Sequence, residues 1–154
     1  MRRACSGTLA DMFFVDFDQE RGLAVVGLAP PGTDADWIAY ADAIDEMNRT
    51  IPPGVRPVLL QLIRSGMPMP SALVRRRLAD LRATIRRDAI NVVVSDSATL
   101  RAAQTALDWV RKPHYDSSTH AAVESAIAHV ERALGSPAPG LGRLAARAEL
   151  AMRR

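Results

Sequence analysis

The side chains able to do acid–base, metal or nucleophilic chemistry are few. There are three histidines, His114, His120 and His129. His120 and Glu124 stand four apart, a spacing that shares one face of a helix. A zinc site needs three or four converging ligands, and His129, nine residues beyond His120, need not face that pair. Surface or half-buried histidines are the plainer reading. A Ser-His-Asp assembly drawn from Ser95, Asp96 and His114 would serve acyl transfer, but nothing in the spacing favours it. Asp16 and Asp18 alternate with period two and so share a strand face, where two carboxylates can hold a metal or act as acid and base. Solvated strand-face residues are the commoner outcome. No His-Glu-x-x-His, Gly-x-Ser-x-Gly or phosphate-loop pattern occurs. Cys5 is the one cysteine, which excludes an internal disulfide and a cysteine zinc cluster. The expectation is a chain with no catalytic set, no metal and no cofactor.

Contact chemistry is better represented. Met67-Pro68-Met69-Pro70 is an apolar loop, and flexible thioethers suit adaptable surfaces; the alternative is that it tucks against the end of a sheet. The helix that follows carries Val74, Leu78, Leu81 and Ile85 on one side and Arg75, Arg76, Arg82, Arg86 and Arg87 on the other. That basic face can be merely solvated, or can meet the acidic helix 34–49 within the chain or across a subunit boundary, where opposite charge steers association. Arginines also contact nucleic-acid phosphates. Aromatic residues make up only 5% of the chain and no nucleic-acid module is recognisable, so no nucleic-acid partner is expected.

The elements that position these residues follow from punctuation and periodicity. Residues 12–17 and 23–28 read as strands, and the polar stretch 18–22 ending in Gly22 suits an antiparallel hairpin. Residues 34–49 read as a helix, with Thr33 or Asp34 as cap and Trp37, Ala41, Ile44 and Met47 at helical spacing. Residues 57–63 form a nearly continuous apolar run, as in a strand buried on both faces. A loop over 64–70 leads to helix 71–87 and then to a short buried strand, 91–95. Helix 98–110 carries the stripe Leu100, Ala103, Leu107 and Val110; Trp37 and Trp109 lie on apolar stripes and are expected in the core. His114-Tyr115 can form a short edge strand, and Ser117 or Ser118 caps a helix over 119–134. Residues 1–11 read as a flexible N-terminus, 135–140 as a linker, and 141–154 as a basic tail, possible helix included, that serves as a tether or partner peptide. A hairpin followed by alternating helices and strands implies an α/β fold with a mixed sheet of four or five strands and about four helices.

Composition agrees with one globular domain. The chain has 154 residues with 48% apolar and 24% charged, close to the globular average. Net charge is only +3, and Lys112 is the one lysine among twenty basic residues. No apolar run approaches the ~20 residues of a membrane span, and Asp11 interrupts the N-terminus before a signal-peptide core can form. A cytoplasmic protein is the expectation.

The order of elements resembles the STAS superfamily, and most closely its divergent SpoIIAA-like, or STAS/SEC14-like, bacterial branch. The resemblance spans residues 12–134. It rests on the opening hairpin, Pro57–Ile63, Pro70–Arg77, Asn91–Ser95, the helix ending Ala106-Leu-Asp-Trp109, and Tyr115–Ala121. It implies a non-enzymatic signalling or assembly module, like the anti-sigma factor antagonists, that binds a protein partner or a second copy. In phosphorylated antagonists a serine within Asp-Ser-Ser-Gly begins the helix after the third strand. Ser71 matches that serine, while Met69, Pro70 and Ala72 replace its neighbours, a departure that argues against the usual kinase-controlled switch. A phosphate on Ser71 would still meet free N–H groups and Arg75; otherwise Ser71 is simply a helix cap. The expected contact surface comprises Met67, Met69, Arg75, Arg76, Arg82 and Arg86. The SEC14-like similarity implies the alternative of a small apolar ligand or lipid in a closed pocket, with a small hydrolase or transferase as a third reading.

Overall fold

The computed structural model describes residues 13–153. The expectations for residues 1–11 and Cys5 lie outside them. Five strands and five helices follow in the order β1 (Phe13–Asp18), β2 (Leu23–Leu28), α1 (Asp34–Thr50), β3 (Val58–Ile63), α2 (Ala72–Thr84), β4 (Ile90–Val94), α3 (Ala98–Val110), β5 (Asp116–His120), α4 (Val123–Leu134) and α5 (Pro139–Ala151). The strands lie side by side in chain order. β1 runs antiparallel to β2, and β2 to β5 are mutually parallel. The α/β mixed sheet read from the sequence is therefore present, in the alternating layout of STAS-like folds.

Gly22 closes the hairpin with φ of 65°, a conformation that costs glycine little and other residues more. The three inner strands are buried on both faces, as their apolar runs require. Leu23, Val25, Val58, Leu60, Leu62, Ile90 and Val92 point to one side, where they pack with Ala126 and Val130 of α4 and Leu141, Ala145 and Ala148 of α5. Ala24, Val26, Leu28 and Leu59 point to the other, against Trp37, Tyr40, Ala41 and Ile44 of α1 and Val74 and Leu81 of α2. Consecutive parallel strands joined by right-handed crossovers place α1, α2 and α3 on one face, and α4 and α5 cover the other. Burial raises the ionisation of the Tyr40 hydroxyl far above its ordinary value.

Three expectations need correction. The segment after residue 135 is not a tether: α5 docks on the sheet, with Leu141 and Ala148 fully buried, Arg147 paired to Asp16 at 2.7 Å and the Met152 thioether lying against Gly27, where a Cβ would come within 2.6 Å of the sulfur. Its apolar stripe, Leu141, Leu144, Ala145 and Ala148, is made largely of alanine, so the pattern alone does not separate a docked helix from a free one. Second, residues 116–120 are a strand and α4 begins at Val123. Their polar composition reads as a cap, yet pairing with β4 overrides local preference. Third, Trp109 is 84% exposed, and no α3 residue is buried. Trp37 is buried as expected.

Candidate functional site

The surface predicted around loop 64–70 and the start of α2 is assembled by the two parallel helices α1 and α2. Ser71 is the N-cap of α2; its hydroxyl accepts from the Val74 N–H at 3.3 Å. Its own N–H donates to Asp34 Oδ1 at 3.2 Å, which ties the first turns of the two helices together. Asp34 is itself just past Thr33, whose hydroxyl caps α1 reciprocally with Asp36, a capping box. Arg75 Nη1 donates to the Pro70 carbonyl at 2.8 Å and so stays close to Ser71. Met67 packs into the α1–α2 core over Gly32. Met69 is 81% exposed and Leu73, in the first turn of α2, 71% exposed. The methionines thus divide: Met67 is half-buried against the core and Met69 lies on the surface. Leu73 and the exposed Ile38 of α1 were not singled out from sequence; the signal was an apolar residue outside each helix's buried stripe.

The predicted meeting of the arginine helix with the acidic helix occurs within the chain, through a different residue. Arg77 bridges Asp42 at 3.0 Å and Asp45 at 2.7 Å. Its hydrogen bond holds the Asp45 carboxyl below the usual carboxylate range against the opposing effect of burial. Arg86 pairs with Asp88 and Arg82 with Asp108 of α3 at 2.6 Å. Arg82 and Arg86 are therefore occupied by intramolecular partners, whereas Arg75 and Arg76 remain exposed.

Asp108 also accepts from Ser117 Oγ at 3.0 Å and Gln104 Nε2 at 3.2 Å, and Arg101 Nη1 donates to the Ser95 carbonyl at 2.7 Å. Arg101, Gln104 and Asp108 recur at helical spacing. They form the inward stripe of α3, facing Ser95 at the end of β4 and Ser117 of β5; inside the sheet Gln61 and Asn91 hydrogen-bond each other. A buried polar surface needs polar partners, so α3 presents its polar side to the sheet and its apolar side outward. Leu107 is 42% and Val110 81% exposed.

The other candidates separate. Ser95 and Asp96 stand at the carboxyl end of β4, where Asp96 accepts from the Ser65 N–H and hydroxyl. His114 precedes β5 at the opposite end and donates to the Ile85 carbonyl at 2.6 Å. Asp18 accepts from the Arg21 N–H in the hairpin turn, and Asp16 meets Arg147, so this pair is structural. Among the described residues no group of three or more metal-ligating side chains converges. His120 lies on β5, 2.9 Å from Ser118 Oγ and with its ring 5.5 Å from that of His129; His129 donates to Asp116 at 3.1 Å. Burial, then the neighbouring His129 and Arg132, lower the His120 pKa. Asp116, Ser118 and His120 share a face through the strand period of two, a signal hidden while that stretch reads as helix. The Ser118–His120 contact lines neither of two clefts, one at the carboxyl ends of β3 and β4 and one between α3 and β5.

One cleft, of about 220 Å³, opens at the carboxyl ends of β3 and β4 and is rimmed by Arg64, Asp96, Glu124 and Glu149. The other, about 440 Å³, is an open groove between α3 and β5 lined by Ala102, Thr105, Ala106, Trp109 and Thr119. Neither is the closed apolar pocket that the lipid reading requires. Among the described residues no helix is long and apolar enough to cross a membrane. Compared with protein-family models, with curated proteins and with solved structures, the chain matches none.

Proposed function

We propose that this chain is a non-catalytic binding module of the STAS-like, SpoIIAA-like kind, working in bacterial cytoplasmic signalling or assembly. It docks a protein partner where α1 and α2 begin. The observation that carries this reading is the exposure of Met69 and Leu73 beside the exposed Arg75 and Arg76, a mixed apolar and basic surface on a rigid two-helix platform. Aliphatic and thioether side chains gain by being removed from water, and guanidinium groups select carboxylates. The fitting partner therefore offers an apolar patch edged by acids. A phosphate on Ser71 would gain the helix N-terminus but would set its charge against Asp34. Phosphorylation would then act by loosening the Asp34–Ser71 tie and reshaping the docking face.

The test compares proteins retained from the native host's lysate by the immobilised full chain, by Leu73→Glu and Met69→Glu, and by Leu150→Glu on the solvent side of α5. A partner retained by the wild type and by Leu150→Glu but lost from the other two supports the reading. An identical retained set for all four refutes it. An intact mass of the protein from that host reports whether Ser71 carries phosphate.

A further inference from the structure

The last strand of the sheet has an open edge, and its hydrogen-bonding groups are arranged for a copy of itself. Asp116 N–H donates to the Ala89 carbonyl and the His120 carbonyl accepts from Ser95 N–H, so residues 116 and 120 turn their backbone toward β4. Residues that bond one neighbour alternate with those that bond the other in a parallel ladder. Ser117 and Thr119 therefore direct their N–H and C=O groups to the free edge. An antiparallel copy centred on Ser118 brings Ser117 opposite Thr119 of the second chain and Thr119 opposite its Ser117. Both are hydrogen-bonded pairs, giving four inter-chain bonds. The same register sets Asp116 opposite His120, a cross-strand pair of complementary character.

The helix above this edge is self-complementary under the same two-fold axis. The carboxyl-terminal part of α3 sits by the start of β5, since Asp108 bonds Ser117. The groove lined by Ala102, Thr105, Ala106 and the chain's own Trp109 adjoins Thr119 and Ala121 at the end of β5. A two-fold axis at Ser118 exchanges these ends, and so sets Trp109 of one copy against the Ala102–Ala106 surface of the other, beside that copy's own Trp109. Small side chains there leave room for an indole, and a Trp held in a desolvated groove is the commonest kind of interface anchor. No edge lysine, proline or bulge, the usual guards of a free strand, stands in Asp116–His120.

We propose that the chain forms a two-fold homodimer in which β5 pairs antiparallel with β5 of the second copy, making a continuous ten-stranded sheet, and each Trp109 packs against the partner's Ala102–Ala106 surface. The interface leaves Met69 and Leu73, at the start of α2, uncovered.

Sedimentation equilibrium of the full chain over a concentration series tests this. The expected mass is twice the 16.7 kDa of one chain. Trp109→Glu and Ala106→Glu, both at exposed positions, keep the far-ultraviolet circular dichroism of the wild type and weaken association at least about thirty-fold. Residue-resolved hydrogen exchange shows the Ser117 and Thr119 amides protected in the wild type and fast in Trp109→Glu. A wild type that stays monomeric to hundreds of micromolar (on the order of the weakest specific contacts) overturns the proposal, including the case in which monomeric Trp109 enters anionic vesicles. So does a dimer that both substitutions leave intact, or one in which those two amides exchange fast.

Discussion

Leu141→Ala measures how far α5 belongs to the fold. Leu141 is fully buried and packs with Leu23, Val25, Ala126 and Val130 between the sheet and α4. Removing its three outer carbons forfeits about 2 kcal/mol of transfer free energy at roughly 0.8 kcal/mol per methylene. The cavity left behind adds to this, because β2 and α4 are fixed by the sheet and cannot collapse onto it; the sum is about 3 to 4 kcal/mol. For a chain of this size that corresponds to a fall in Tm of about 6–16 °C. Leu150→Ala, on the exposed side of the same helix, serves as the control and should stay within about 0.5 kcal/mol of wild type. Urea unfolding followed by circular dichroism gives both values at equilibrium. A Leu141→Ala loss no larger than that of Leu150→Ala would refute the placement of α5 in the core. Truncation after residue 135 must also be severe, since it uncovers Leu23, Val25 and Leu60 on the sheet.

Arg77→Ala should cost about 0.5–1 kcal/mol, a half-exposed double ion pair's worth. The loss should shrink in molar salt, and a salt-independent loss would show that Arg77 acts through packing. Ser71→Ala removes the α2 cap and should cost about 1 kcal/mol, read as a shift in the urea midpoint; no shift would remove Ser71 from its capping role. His120 titrates with a folded pKa below its ordinary 6.5, so the unfolded chain takes up the proton more readily. Its stabilising contribution is complete above about pH 6.5 and is lost as pH falls toward the folded value. The fall in Tm between about pH 7.5 and about pH 5.5 should therefore be smaller in His120→Gln than in wild type. Equal falls would show that another group dominates.

The inner strands were legible because burial on both faces leaves a signature that nothing else in the sequence competes with. Val58–Ile63 and Ile90–Val94 are apolar runs each broken by a single polar residue, Gln61 and Asn91, and their place beside β2 follows from crossover handedness. The hairpin was legible through Gly22. Residues 116–120 were not, because Asp, Ser, Ser and Thr have strong local uses as caps, and their strand conformation comes from hydrogen bonds to β4 that lie about 25 residues away in sequence. α3 misled for a different reason. Its stripe of Leu100, Ala103, Leu107 and Val110 is real, but a second stripe of Arg101, Gln104 and Asp108 competes for the sheet. The polar floor of Ser95 and Ser117, with Arg82 of α2, decides the competition. That floor could not be placed before the strand register was known. At the contact surface, Ser71 as a cap and Met69 as an exposed residue were readable, whereas the choice of Arg77 over Arg75 and Arg76 to bridge α1 depended on the rotation of α2.

The two stripes of α3 connect the fold to assembly. Had its apolar side faced inward, Asp108 would have lost Arg82 and Ser117, and Arg101 the Ser95 carbonyl, at a cost of about 1–3 kcal/mol for each unsatisfied group. Turning the helix satisfies those groups and leaves Leu107, Trp109 and Val110 in water, where their exposed area is unfavourable by about 25 cal/mol per Å². A second copy removes that remainder without disturbing the polar floor. In the proposed dimer the antiparallel β5 pair also sends the carboxyl ends of the two sheets in opposite directions. The two surfaces built on Met69 and Leu73 then lie at opposite ends of one ten-stranded sheet, so two partners can dock without colliding. Monomeric Trp109→Glu would retain the partner surface but hold one partner per particle, which separates the role of the α3 face from that of the α2 face.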